Sequence, residues 1–227
     1  MTVKSLLNRV GALPASIRHP AAHEAFASAV LDQPAGAVCF SIGGGPKMVH
    51  PRLVNLNIRP FANVHVVGTA YQLPIPDNAV DSVYCEAVLE HLEDPRRAVA
   101  EMHRVLKAGG QVFAATPFLQ PFHAYPDHFQ NFTLNGHLRL FEAAGFKIVA
   151  AGPCNGPAFA MVDLISNFAR EYFPTRPLSR AAFYALRIAG APVVAFDRLL
   201  LRLPTAHVLA SSTFVHGLKS STTCLAA

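Results

Sequence analysis

The stretch from Pro74 to Gly110, PIPDNAVDSVYCEAVLEHLEDPRRAVAEMHRVLKAGG, decides how the rest of the chain is read. Within it Val80–Cys85 is a run of β-branched, aromatic and small apolar side chains, the pattern of a buried strand. Asp94-Pro95 predicts a helix start, with Asp at the N-cap and Pro at the first helical position. Ala98, Val99, Met102, Val105 and Leu106 recur at helical spacing and form the predicted buried stripe. Arg97, Glu101, Arg104 and Lys107 fall on the face predicted to meet water, and Gly109-Gly110 is the predicted stop. A strand, a helix and a glycine stop in this order are the repeating unit of an α/β fold.

The same alternation extends in both directions. Upstream, Val38–Ile42 reads as a strand running into Gly43-Gly44-Gly45-Pro46, followed by strands at Leu53–Ile58 and Val64–Val67. Downstream come a strand at Gln111–Thr116, a loop over 117–132, and a helix capped by Thr133 that ends near Gly145. A sixth strand is predicted at Phe146–Ala151, then helices over Ala158–Phe173 and Leu178–Leu203, the second kinked or split by Pro192. Val208–Leu218 suits a last strand. Strands separated by helices argue for an open, mostly parallel sheet whose ligand sits at the carboxyl ends of its strands. The whole chain reads as a single domain: an N-terminal helical segment (1–34), a core (35–157), a helical insertion (158–204) and a last strand with tail (205–227).

From the fourth strand onwards, the quoted stretch closely resembles class I S-adenosylmethionine-dependent methyltransferases. The likeness is greatest to the subgroup in which "LEH" follows the fourth strand, then "DP", then "ExxRVLKxGG", and it covers 38–152. The resemblance implies a Rossmann-like, seven-stranded α/β sheet in the order 3-2-1-4-5-7-6, with an antiparallel last strand and, here, a helical insertion before it. It implies S-adenosyl-L-methionine as cofactor, with Gly43, Gly44 and Gly45 passing close to its methionine part. Asn57, with Ile58, is placed at the ribose, and Thr69 and Ala70, followed by Tyr71, at the adenine. Cys85 and Glu86 are placed beneath the sulfonium and the methyl group.

Three departures accompany the match. Asn57 stands where the family usually has an acid, Thr69 stands where it usually has Asp, and the glycine loop runs into KMVHP, too broken for the usual first helix. Exchanging charge-assisted bonds for neutral ones costs ~1 kcal/mol at each position. A second reading therefore stands beside the enzyme: a non-catalytic, cofactor-binding or scaffolding relative that acts through its basic helical segment. A nicotinamide-binding fold fits less well. Its fingerprint opens directly into a helix and needs an acid about twenty residues on, whereas Pro46 and Pro51 interrupt the helix and Arg59 and its neighbours supply no acid.

The acceptor is expected to be a small molecule or lipid-like. The 117–132 loop follows the fifth strand and so borders the cleft; it offers His123 and His128 as candidate bases for a hydroxyl acceptor. Tyr125 and Asp127, with His91 from the fourth-strand side, are candidate pocket residues. These polar groups read equally as the hydrogen-bonding frame of a rigid aromatic loop. No metal is expected, because the family's chemistry needs none and His123, Asp127 and His128 lack an obvious further ligand.

Charge separates the insertion from the core. The net charge is +5, yet residues 33–157 balance nine basic against nine acidic side chains, whereas 158–227 carry seven against three. A neutral core without basic-aromatic clusters argues against a nucleic-acid partner. On one continuous helix over Leu178–Leu203, Arg180, Arg187, Arg198 and Arg202 would share a face. The insertion is thus expected to be a lid over the cleft or a peripheral membrane element, readings that are compatible for a lipid-like acceptor. Apolar runs such as 188–196 are too short to span a bilayer, and the basic N-terminus lacks the apolar core of a secretory signal, with a transit peptide the weaker reading. Cys39, Cys85, Cys154 and Cys224 form no CxxC pair and read as buried free thiols of a reducing cytoplasm.

Overall fold

Alternate side chains of the central strands point to opposite faces, and both faces are apolar, so the sheet is covered on both sides. In the computed structural model, which describes residues 14–45, 48–124 and 126–220, the strands are β1 (Cys39–Ile42), β2 (Leu53–Asn57), β3 (Val66–Val67), β4 (Val80–Glu86), β5 (Leu106–Pro117), β6 (Phe146–Asn155) and β7 (Ser212–Lys219). They form one seven-stranded sheet in the order β3-β2-β1-β4-β5-β7-β6. β1 to β5 pair in parallel, and β7 runs antiparallel to both β5 and β6. The order and the direction of the last strand are those the resemblance implied.

Phe40, Ile42, Val83, Cys85, Val112 and Ala114 face one side, where they pack with the helices α2 (Pro95–Val105) and α3 (Leu134–Ala143). Cys39, Tyr84, Phe113, Ala115 and Phe214 face the other, against α1 (Pro20–Phe26). On that side Phe113 lies between Tyr84 and Phe214, with near-parallel rings and centroids 5.8 and 6.0 Å apart. Phe26 meets Tyr84 and Phe113 edge-on.

α2 begins as its sequence predicts: the Asp94 carboxylate accepts from the Arg96 N–H at 3.2 Å, and the stripe from Ala98 to Leu106 is fully buried. Its end differs. The helix stops at Val105 and β5 starts at Leu106, ahead of Gly109-Gly110, because the Arg104 and Val105 carbonyls accept from the N–H groups of Asn78 and Ala79. Three side chains assigned to water, Glu101, Arg104 and Lys107, are instead half-buried. Arg104 donates to Glu101 and Asp77 and to the Leu73 and Ile75 carbonyls, stitching the 73–77 turn onto the helix. α3 is capped by Thr133 as expected, and Gly145 follows with φ +93.

The insertion comprises α4 (Pro157–Tyr172), α5 (Arg176–Ala195) and the short α6 (Asp197–Leu200). The helix expected over Leu178–Leu203, with a kink or split at Pro192, instead runs through Pro192 and breaks at Phe196. The break turns the fully buried Asp197 towards the start of α4, where its carboxylate accepts the N–H groups of Ala158 and Phe159 at 2.8 and 2.9 Å. Arg187 is buried and paired with Asp163 at 2.7 Å. The expected four-arginine face is therefore not formed: Arg180, Arg198 and Arg202 are exposed, Arg187 is not, and two of the four lie beyond α5. None of the described helices is long and apolar enough to cross a membrane. Cys39, Cys85 and Cys154 are buried free thiols, and Cys224 lies outside the described residues.

Candidate active site

The chain leaves β1 through Gly43, whose φ of +78 is open to glycine and strained for other residues. Space imposes the same choice, since a Cβ here would lie 2.2 Å from the Val88 side chain beyond β4. The N–H groups of Gly43 and Gly44 both donate to the Leu56 carbonyl, at 2.9 and 3.2 Å. A Cβ on Gly44 would strike the Asn55 side chain at 2.7 Å, whereas one on Gly45 meets nothing within 4 Å. The glycine turn is thus pinned to β2 on one side and open on the other.

That open side is a cavity of about 520 Å³ at the carboxyl ends of β1, β2 and β4, the size and position of a small-molecule site. Of the residues assigned to the cofactor, Gly43, Gly45, Asn57, Ile58, Thr69, Ala70 and Tyr71 line it. Gly44 lies behind the turn. Asn57 and Thr69 prove to be committed to backbone. The Asn57 amide donates to the Gly44 carbonyl at 3.0 Å, while its oxygen accepts from the Arg59 N–H at 3.0 Å. The Thr69 hydroxyl accepts from the Tyr71 N–H at 3.2 Å, which tightens the turn after β3.

Cys85 and Glu86 do not line the cavity, against expectation. Cys85 faces the α2 side of the core, where burial pushes its thiol well above the usual range. Glu86 is paired with the Arg18 guanidinium and accepts from the Tyr84 phenol. The wall beyond β4 is built instead by Ala87, with φ +54, and by Val88. Glu93, Phe61 and Phe129 also border the cavity and were not singled out from the sequence.

At the far end stands a cluster of imidazoles. His91 follows β4 in a 3-10 turn (Leu89–His91), and it lines the cavity. Its Nδ1 donates to the Asp127 backbone carbonyl, so Asp127 contributes main chain while its carboxylate is exposed. His123 lies across from it, with ring centroids 5.2 Å apart, and lines a second cavity of about 250 Å³ with Asp163, Arg170 and Arg187. The Glu90 carboxylate nearby raises the His123 imidazole above its ordinary range. His128 uses both ring nitrogens, Nδ1 accepting from the His123 N–H at 3.1 Å and Nε2 donating to Asn131 at 2.7 Å. It frames the loop and lines neither cavity. Tyr125 lies outside the described residues.

The sheet order is that of the Rossmann-like methyltransferase fold. Residues 27–114 match the family described as "Methyltransferase domain". An uncharacterized methyltransferase of Schizosaccharomyces pombe is 40% identical over 65 residues, covering 29% of this chain and 23% of that protein. The ubiquinone/menaquinone biosynthesis C-methyltransferase UbiE of Psychromonas ingrahamii is 34% identical over 68 residues, covering 29% of this chain and 27% of UbiE. The matched segments thus span about a quarter of the length of these curated relatives. Among solved structures, the [4+2]-cyclase SpnF superposes with a TM-score of 0.55 at 18% identity, covering 97% of this chain and 93% of that one. Over residues 27–114 the chain is thus similar to methyltransferase domains. The fold by itself does not name the reaction, as the cyclase demonstrates.

Proposed function

We propose that this protein transfers the methyl group of S-adenosylmethionine to a small, apolar or lipid-like acceptor. The observation that carries the reading is the cavity at the glycine turn, lined by Gly43 and Gly45, where the open Gly45 leaves room for a ligand to approach backbone. The bound cofactor supplies an electrophilic methyl group. The chain's own part is to hold it: the Gly43–Gly45 turn at the amino-acid end, Asn57 and Ile58 at the sugar, and Thr69, Ala70 and Tyr71 at the base. Because Asn57 and Thr69 are engaged with backbone, they act chiefly by fixing the two turns that shape the cleft. Leu56, Ala70 and Leu92 give it apolar walls that exclude water.

The acceptor side favours apolar chemistry. Beside the insertion runs a groove of about 510 Å³ lined by Leu119, Met161, Leu164, Phe196, Leu200 and Leu209. Phe168 and Tyr172 are 61% and 74% exposed on α4, so this helix presents an aromatic surface outward. With Arg180, Arg198 and Arg202 also exposed, the insertion suits a peripheral position at a cytoplasmic membrane surface. The similarity to an enzyme of quinone biosynthesis supports the same acceptor class.

Calorimetry with S-adenosylhomocysteine, followed by methyl-labelled cofactor offered with separate lipid and water-soluble metabolite fractions, tests the reading. Ligand at a hundredfold excess over its Kd should stabilise the fold by about 2.7 kcal/mol, and label should enter the organic phase. Absence of binding heat at millimolar ligand overturns the enzyme reading. Binding without label transfer to either fraction favours the scaffolding relative.

A further inference from the structure

Methyl transfer as proposed leaves one feature at the end of the cleft without a role. Glu90, in the turn after β4, is fully buried, and neither of its carboxylate oxygens has a hydrogen-bond partner. A buried carboxylate is tolerated when a cation or a set of donors compensates it. Its neighbours are His91 Nε2 at 3.6 Å and His123 Nε2 at 3.7 Å from Oε1. Both distances are too long for hydrogen bonds. They are close to the spacing of ligand atoms around a shared ion: metal–ligand bonds of about 2.0–2.2 Å put neighbouring donors roughly 3.0–3.5 Å apart.

The orientation of the rings points the same way. His91 Nδ1 donates to the Asp127 carbonyl, and His123 Nδ1 donates to the Pro121 carbonyl at 2.9 Å. In its neutral form each ring therefore turns an Nε2 lone pair towards Glu90. A backbone carbonyl holding the distal N–H is the usual support of a metal-binding imidazole. The three ligand atoms lie within 4.8 Å of one another. His128, third ring of the cluster, is excluded because both of its nitrogens are engaged.

We propose that Glu90, His91 and His123 bind one divalent transition-metal ion of the zinc type. Two imidazoles and one carboxylate suit such an ion better than calcium or magnesium, which prefer oxygen donors. Three protein ligands leave coordination positions open, the arrangement of reactive rather than structural ions. Since His91 also lines the main cavity, an open position borders the cleft. The acceptor class this favours is one with an ionisable oxygen, such as a phenol or enol, whose deprotonation a metal promotes. That last step rests on the methyl-transfer reading, whereas the ion site does not.

The protein, treated with chelator and dialysed metal-free, is titrated with zinc chloride by calorimetry and, in parallel, loaded with cobalt(II) for visible spectroscopy. One ion per chain is expected, with cobalt absorption bands of nitrogen and oxygen ligation. Glu90→Gln, which keeps the side-chain shape, and His123→Ala should each weaken binding at least tenfold. His128→Ala, in the same loop but outside the ligand set, should change it less than about twofold. No stoichiometric binding, or equal affinity in wild type and both ligand variants, overturns the site. So does a loss in His128→Ala as large as that in His123→Ala. S-adenosylhomocysteine binding by the metal-free protein is measured separately, so failure of the ion site and failure of the methyltransferase reading give different results.

Discussion

Replacing Asn57 by Asp separates two accounts of the cofactor cleft, because they predict opposite signs. If Asn57 gripped the ribose directly, a carboxylate would make a charge-assisted bond and tighten binding by ~1 kcal/mol. In the structure its amide nitrogen donates to the Gly44 carbonyl, and its oxygen already accepts from the Arg59 N–H. Asn57→Asp keeps the acceptor and loses the donor, and it sets a carboxylate oxygen about 3 Å from the Gly44 carbonyl oxygen. Loss of the bond and the new repulsion together cost about 1–2 kcal/mol, which loosens the glycine turn that must meet the cofactor. The expected result is a 5- to 30-fold weaker Kd for S-adenosylhomocysteine, with a melting temperature lower by about 2–8 °C. Isothermal calorimetry and thermal melts at neutral pH read both, with Asn57→Ala alongside to remove the bonds without adding charge. Tighter binding in Asn57→Asp would refute the clamp and return Asn57 to the ribose, whereas an unchanged Kd in all three proteins would refute both accounts.

Two further outcomes follow from the same geometry. Gly43→Ala forces a Cβ to 2.2 Å from Val88 at a positive φ and should cost about 2–4 kcal/mol. Gly45→Ala, with open space around it, should leave stability within about 0.5 kcal/mol while weakening cofactor binding; equal destabilisation in a urea titration would contradict this view of the turn. His137 is fully buried with its Nε2 unpartnered, and burial pushes its imidazole down to about 3 from an ordinary 6.5. The unfolded chain therefore binds a proton that the folded one refuses. The stabilising contribution is present above pH 6.5 and is lost as pH falls towards 3, by about 1–1.4 kcal/mol per unit. His137→Leu should flatten that slope in chemical denaturation at pH 6.5, 5.5 and 4.5, and an unaltered slope would assign the acid sensitivity elsewhere.

What the residue pattern could reveal was local. The Asp94-Pro95 start and the buried stripe of α2 lie within a dozen residues, and so do the Thr133 cap and Gly145. Short-range sterics and hydrogen bonds determine such features. Their alternation was enough to read the strands of the sheet, and the motif after β4 supplied the sheet order. Errors arose where partners distant in sequence decide the outcome. α2 was expected to end on glycine, but backbone N–H groups from 78 and 79 take its last carbonyls first. One helical period was carried through Phe196, but Asp197 satisfies the start of α4 from 39 residues away and breaks the helix there.

The cleft was partly legible for the same reason. Gly43 follows β1, Asn57 ends β2 and Thr69 comes two residues after β3, so locating each strand end located them. Strand position alone could not say which way a side chain at that end turns. Glu86 continues the alternation of β4, which carries it with Tyr84 towards Arg18 and away from the cavity. Ala87 then leaves the strand with φ +54 and redirects the chain, so that Val88 and His91 reach the cleft. That single left-handed residue separates the expected pocket from the observed one, and a motif match does not encode it. It also sends Glu90 inward as His91 meets the cavity, while the 117–132 loop returns His123 to them from more than thirty residues on. No spacing rule joins Glu90 to His123. Only the register of β4 against β5, which sets where that loop departs, brings the acid and the second imidazole together.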